Sequence, residues 1–130
     1  MKIFLPDTHV IYWYEFQNPK LSSAALQTFK EAEAGNALPA IHPIVLAEFY
    51  WILKKAGFET KFLQYVQFVR GNPVYRYASI DLHEASRLDD FREISQMHDR
   101  LIAIVAERLN ATIVTTDPAI LQSTKVKSVW

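Results

Sequence analysis

Apolar positions in this chain fall into short runs and helical stripes that alternate along its length. Lys2-Ile3-Phe4-Leu5 is a short apolar run ended by Pro6, the pattern of a buried strand. Asp7-Thr8 opens a helix to about residue 16, with Val10, Ile11, Trp13 and Tyr14 giving a broad apolar face, and Asn18-Pro19 breaks it. Ser22 or Ser23 caps a second helix, which runs to about Ala34 and ends at Gly35-Asn36. Leu38-Pro39-Ala40-Ile41 forms a second strand. Pro43 suits the first turn of a third helix, which continues to Lys55 and stops before Gly57. Residues 59–69 make a fourth, with Phe62, Tyr65, Val66 and Val69 on one face and Gly71-Asn72-Pro73 as terminator.

The second half repeats the alternation. Residues 74–80 predict a third strand, and Asp81 or one of its neighbours caps a helix to about Phe91. A strongly apolar helix then spans about 98–109, with Asn110 as its C-terminal turn residue, and a strand follows at 112–116. Asp117-Pro118 begins a short helix, and residues 126–130 form a last strand. Strands alternating with helices imply right-handed crossovers and a parallel sheet between helical layers. Ligands of such sheets bind beyond the carboxyl ends of the strands, where strand order reverses. Asp7 directly follows the first strand and Asp117 the fourth, so both are expected at that edge.

Composition narrows the possibilities. A chain of 130 residues buries roughly two-thirds of its unfolded surface, and half of its residues are hydrophobic, so one cored domain over 1–130 is expected. The absence of cysteine excludes disulfides and thiolate metal sites and suits a cytoplasmic setting. The first ten residues lack the apolar length of a secretory signal, and the longest apolar run, 44–53, is short of a membrane span and contains Glu48. With 14 basic and 14 acidic residues the formal charge is zero, so any nucleic acid must be held by a local patch or through metal.

Four acids stand out. Asp7 and Asp117 can each be explained as helix caps, and Asp99 as a first-turn acid complementing the helix dipole. Glu48 is harder to dismiss, because it sits mid-helix in a run apolar on nearly all sides. Burying an unpaired carboxylate costs several kcal/mol, so it needs a cation, a proton or a solvated strip. If all four converge they repel one another and raise at least one pKa. Hard oxygen donors of this kind suit Mg²⁺ or Mn²⁺. No glycine-rich phosphate loop, nucleophile elbow or cysteine nucleophile offers a different chemistry.

Ile3-Phe4-Leu5-Pro6-Asp7-Thr8-His9, Val45-Leu46-Ala47-Glu48-Phe49-Tyr50, His98-Asp99-Arg100-Leu101-Ile102-Ala103 and Val114-Thr115-Thr116-Asp117 resemble the PIN-domain nucleases, most of all the VapC-type toxins of toxin–antitoxin pairs. The likeness runs in order over essentially the whole chain. It implies a three-layer α/β/α sandwich with a five-stranded parallel sheet ordered 3-2-1-4-5, the strand before Asp7 lying beside the strand before Asp117. It implies that the quartet Asp7, Glu48, Asp99 and Asp117 holds Mg²⁺ or Mn²⁺ in a metal-dependent endoribonuclease. Such an enzyme cuts single-stranded or looped RNA with metal-activated water and leaves 5′-phosphate and 3′-hydroxyl ends.

Within that reading Asp7 and Asp99 are expected as direct ligands, Asp117 directly or through water, and Glu48 as a ligand or as the group orienting the water. Thr8 and Thr115 would hydrogen-bond carboxylates, and Arg100 would pair with a neighbouring acid rather than with substrate phosphate. Implied partners are RNA, a cognate antitoxin and a second copy of the chain in a homodimer, with no membrane. Two departures from the family pattern are Val45, where a hydroxyl residue is common, and Arg100. The aromatic clusters Tyr12-Trp13-Tyr14 and Phe49-Tyr50-Trp51 fit either core packing or an interface. An aspartyl-phosphate phosphatase would need a second acid where His9 stands, and a phosphoacceptor receiver would need paired acids after the first strand. The alternative from another class is a non-catalytic PIN-like module that binds RNA or protein.

Overall fold

In the computed structural model, which describes residues 1–130, the sheet is built from its centre outward. The strand β1 (Lys2–Pro6) buries adjacent residues on opposite faces: Leu5 joins one apolar cluster and Phe4 the other. A strand buried on both sides needs cover on both sides, which is the condition for a parallel α/β sheet. Beside β1 lie β2 (Ala37–Ile41) and β4 (Thr112–Val114), with β3 (Arg76–Tyr77) and β5 (Lys127–Val129) outside them. All four pairings are parallel and the order is β3-β2-β1-β4-β5.

On one face the larger core is supplied by α3 (Pro43–Ala56), α4 (Thr60–Gly71) and α6 (Met97–Leu109), through Phe49, Leu53, Tyr65, Val69, Ile102 and Val105. On the other, α2 (Ser23–Glu33) lays Ala25, Phe29 and Ala32 against Phe4, Ala37 and Val114. The helix α1 (Thr8–Glu15) sits between, sending Ile11 to one core and Val10 to the other. Ser22 caps α2 through the Ala25 amide, and α3 ends at Gly57, whose φ of 80° only glycine adopts freely. Asn110 takes the same left-handed turn after α6.

Two expectations from the hydrophobic pattern change. The strand expected over 74–80 shrinks to Arg76–Tyr77, both exposed, because this edge has one ladder partner. The helix expected over 81–91 breaks into α5 (Leu82–Ala85), closed by a capping box between Asp81 and Glu84, and a 3₁₀ turn at Leu88–Phe91. The amides of Arg87 and Asp90 bond three residues back, to Glu84 and Arg87, so the chain tightens into 3₁₀ geometry there. Beyond it the Arg100 guanidinium donates to the carbonyls of Ile94 (2.6 Å), Leu88 (3.4 Å) and Arg92 (3.4 Å), which no helix satisfies. The short helix α7 (Pro118–Gln122) precedes β5, and no helix is long and apolar enough to cross a membrane.

Candidate active site

Strand order reverses between β1 and β4, and the register sets Pro6 opposite Val114. The next residue on one side is Asp7, whose amide donates to the Val114 carbonyl at 2.9 Å. On the other side the chain continues through Thr115 to Asp117. Helix α6 runs back antiparallel to β4, which returns its first turn, with Asp99, to the same edge. From across the groove α3 brings Glu48. Elements from four parts of the chain therefore deliver acids to one place.

Hydrogen bonds hold these acids from behind. Asp7 accepts from the Thr8 amide at Oδ1 (2.7 Å) and from the Thr115 hydroxyl at Oδ2 (3.0 Å). The same Thr115 oxygen accepts from the Asp117 amide at 3.0 Å, tying the first and last acids together. Asp117 caps α7 by accepting from the Ala119 amide at 2.8 Å. Thr8 donates its hydroxyl to Glu48 Oε1 at 3.2 Å. Thr8 and Thr115 are both buried, so these bonds are sheltered from water. The cap explanation of Asp7 and Asp117 is thus compatible with a shared site: each carboxylate closes a helix end and still faces the others.

Asp99 is the unusual member. It is 3% exposed, and its Oδ1 accepts no hydrogen bond. Its pKa is pushed up to about 8, first by burial, then by a hydrogen bond shared with Asp117 and the charges of Asp7, Asp117 and Glu48. No three acidic or histidine side chains are drawn together as a ready ligand cage. Crowded carboxylates without a cation stand apart and share a proton instead. His98, on which sequence reasoning placed no weight, sends Nε2 to within 3.4 Å of both Glu48 Oε2 and Asp99 Oδ1. Only its neighbour Asp99 in the sequence could have hinted at this.

Arg100 sits elsewhere. Beyond its three carbonyl bonds its nearest acid is the exposed Asp89 at 4.0 Å, and it touches none of the four clustered acids. Asp7, Glu48 and Asp99 open into a groove of about 540 Å³ whose walls also include His9, Trp51, Lys55 and His98, with Asp117 behind them.

The family described as PIN domain matches residues 4–125. No curated protein matches the sequence. Among solved structures, a chain of VapBC2 from Rickettsia felis, crystallised bound to a DNA fragment from the promoter, is similar at 19% identity. The match covers 98% of this chain and 97% of that one, with a TM-score of 0.72. A chain from a toxin–antitoxin complex of Klebsiella pneumoniae is similar at 18% identity over 100% of this chain and 97% of its own, with a TM-score of 0.68. At such identities the likeness speaks for the fold: the sheet order and its helical layers are shared.

Proposed function

Because this chain belongs to the PIN domain family, we propose that it is a metal-dependent endoribonuclease and the toxin of a toxin–antitoxin pair. The observation that carries the reading is Asp99, a buried carboxylate whose Oδ1 accepts no hydrogen bond and has only the His98 ring at 3.4 Å, beside three further acids. Such a group requires a proton or a cation. The donor set is entirely hard carboxylate oxygen, which fits Mg²⁺ or Mn²⁺ and not a thiolate-seeking metal. Asp7 and Asp99 would hold the ion, with Asp117 and Glu48 completing the set. When bound, it would ease deprotonation of water and offset negative charge building on the phosphate and on the leaving 3′ oxygen.

The chain's own groups have separate tasks. Thr8 and Thr115 fix both oxygens of Asp7, so the direction of its lone pairs is set before substrate arrives. Thr8 also restrains Oε1 of Glu48, and Oε2, which faces the His98 ring at 3.4 Å, would accept the proton of the attacking water. Attack by that water at phosphorus would break the bond to the 3′ oxygen, which would leave with a proton from solvent, giving a 5′-phosphate and a 3′-hydroxyl. Single-stranded or looped RNA suits an open groove better than a duplex.

Likeness to chains from toxin–antitoxin complexes supports an antitoxin partner. Exposed Leu63 and Phe68 on α4 support a further protein contact, which we assign to a second copy in a homodimer acting in the cytoplasm. The test is cleavage of a panel of single-stranded and hairpin RNAs with Mn²⁺ or with EDTA, by the parent and by Asp99→Asn. The parent should cut only with metal, and the variant should fold yet lose cutting. A variant as fast as the parent sinks the assignment. RNA binding without cutting at saturating Mn²⁺ would support a non-catalytic PIN-like module instead.

A further inference from the structure

We propose that Trp51 and Lys55 form a base-and-phosphate subsite on the wall of the acidic groove, which takes one unpaired nucleotide beside the scissile phosphate. This rests on the nuclease reading above and adds the feature of the RNA that the site selects. Glu48, Trp51 and Lys55 are spaced three and four apart on α3, so they share one helix face, and all three line the groove. The row spans about 10 Å at 1.5 Å per residue. The acid thus stands at one end, an indole in the middle and an ammonium at the other.

Trp51 is 57% exposed, although its helix has a complete core face in Val45, Phe49 and Leu53. Packing does not account for it. Nor is the indole loose. Tyr50 meets it edge to face with centroids 5.4 Å apart, and the Lys54 ammonium lies 5.3 Å from its centroid. An aromatic ring fixed on one side and open on the other is a stacking platform, and it accepts any base because every base has a π-face. A paired base within a duplex cannot offer that face.

Lys55 supplies what stacking cannot. It is the only lysine or arginine lining the groove, among Asp7, Glu48 and Asp99. It takes part in none of the chain's ion pairs, which leaves its charge available to a phosphate. In a chain of zero net charge no general attraction for a polyanion substitutes for such a contact.

Steady-state cleavage of a single-stranded RNA by the full chain with Mn²⁺ tests this, using the parent, Trp51→Ala, Trp51→Phe and Lys55→Ala. Each is paired with RNAs carrying one abasic nucleotide at successive positions around the cut. Stacking of one base on an aromatic ring corresponds to roughly a 5- to 150-fold change in affinity. Trp51→Ala should raise KM roughly 10-fold with kcat little changed, and Trp51→Phe should restore most of the loss. An abasic nucleotide at one flanking position should raise the parent's KM by a similar factor and add nothing in Trp51→Ala. Lys55→Ala should raise KM and lower the salt slope by about one.

Parent-like KM in Trp51→Ala, or a full abasic penalty persisting in that variant, overturns the subsite and leaves Trp51 as a surface for a protein partner. A fall in kcat alone marks a structural disturbance and overturns it as well. The abasic scan on the parent needs no variant, and a scan without any flanking penalty is equally fatal. If the parent cuts no RNA in the panel, the nuclease reading itself has failed and the subsite goes with it.

Discussion

Replacing Asp99 with asparagine should stabilise the metal-free protein at neutral pH, the reverse of what removing a buried charge partner does. The carboxyl of Asp99 is pushed from 3.8 up to about 8 by burial, by its hydrogen bond with Asp117 and by the neighbouring acids. A folded-state pKa above the unfolded value means that the native protein binds more protons than the unfolded chain between pH 4 and 8. Its stability is therefore complete below about pH 4, falls as pH rises, and levels off beyond about pH 8. At about 1.4 kcal/mol per pH unit, the loss by pH 7 is on the order of 4 kcal/mol. Water at the mouth of the groove relaxes part of this, so about 2 kcal/mol is the expected gain for Asp99→Asn. The amide is of the same size and cannot ionise. Denaturant unfolding in EDTA at about pH 5 and about pH 7 measures it: the two proteins should converge in acid and separate at neutrality. Mn²⁺ at about a hundred times its dissociation constant should then add about 2.7 kcal/mol to the parent and little to the variant. A parent whose stability is flat between pH 5 and 8, or a variant no more stable than the parent at pH 7, would refute the crowding of the four acids.

Two further substitutions separate the site from its scaffold. Thr115→Val keeps the shape but strips the hydroxyl that donates to Asp7 and accepts from the Asp117 amide. It should cost about 1–3 kcal/mol in thermal unfolding and weaken the Mn²⁺-induced rise in Tm, because a buried amide loses its partner and two acids lose their common tie. Arg100→Met should cost about 2 kcal/mol and raise amide exchange within 88–94 while leaving the Mn²⁺ response intact, since the guanidinium serves backbone carbonyls and none of the four acids. Loss of the metal response in Arg100→Met would show that the loop and the site are one unit.

Local rules are visible wherever local physics decides. Pro6, Gly57, Asn110 and Pro118 mark element ends that the sequence announces, because each fixes or frees a backbone angle regardless of what surrounds it. Apolar spacing alone identifies the helices that build the cores, since burial is what creates the spacing. Residues 74–91 resisted for the opposite reason. Residues 74–80 read as a strand, yet only Arg76 and Tyr77 pair at this edge position. The helix after Asp81 stops at Ala85, and the segment beyond it is held by Arg100, whose bonds to the Leu88, Arg92 and Ile94 carbonyls, 12, 8 and 6 residues away, leave no apolar period to read. The site shows the same division. Asp7 and Asp117 follow strands and Asp99 opens a helix, so topology brings three acids near one edge; which atoms Thr8, Thr115 and His98 address depends on distances across elements.

Charge connects the two halves of this picture. Clustered carboxyl groups do not attract a phosphodiester, and the one lysine on the groove wall cannot reverse that field. Burial lifts the pKa of Asp99 first and the neighbouring acids lift it further, and that repulsion also favours a cation: the acids gain from a proton at one position, and gain more from two positive charges shared among them. Affinity for a polyanion must then rise with metal occupancy, while discrimination between one RNA and another falls to groups that carry no part of that charge. Trp51 is the clearest of these, an exposed and oriented ring standing one turn from Glu48. In the proposed nuclease, division of labour between acids that would acquire a positive field and an indole that would read an open base lets a chain with no net charge address RNA.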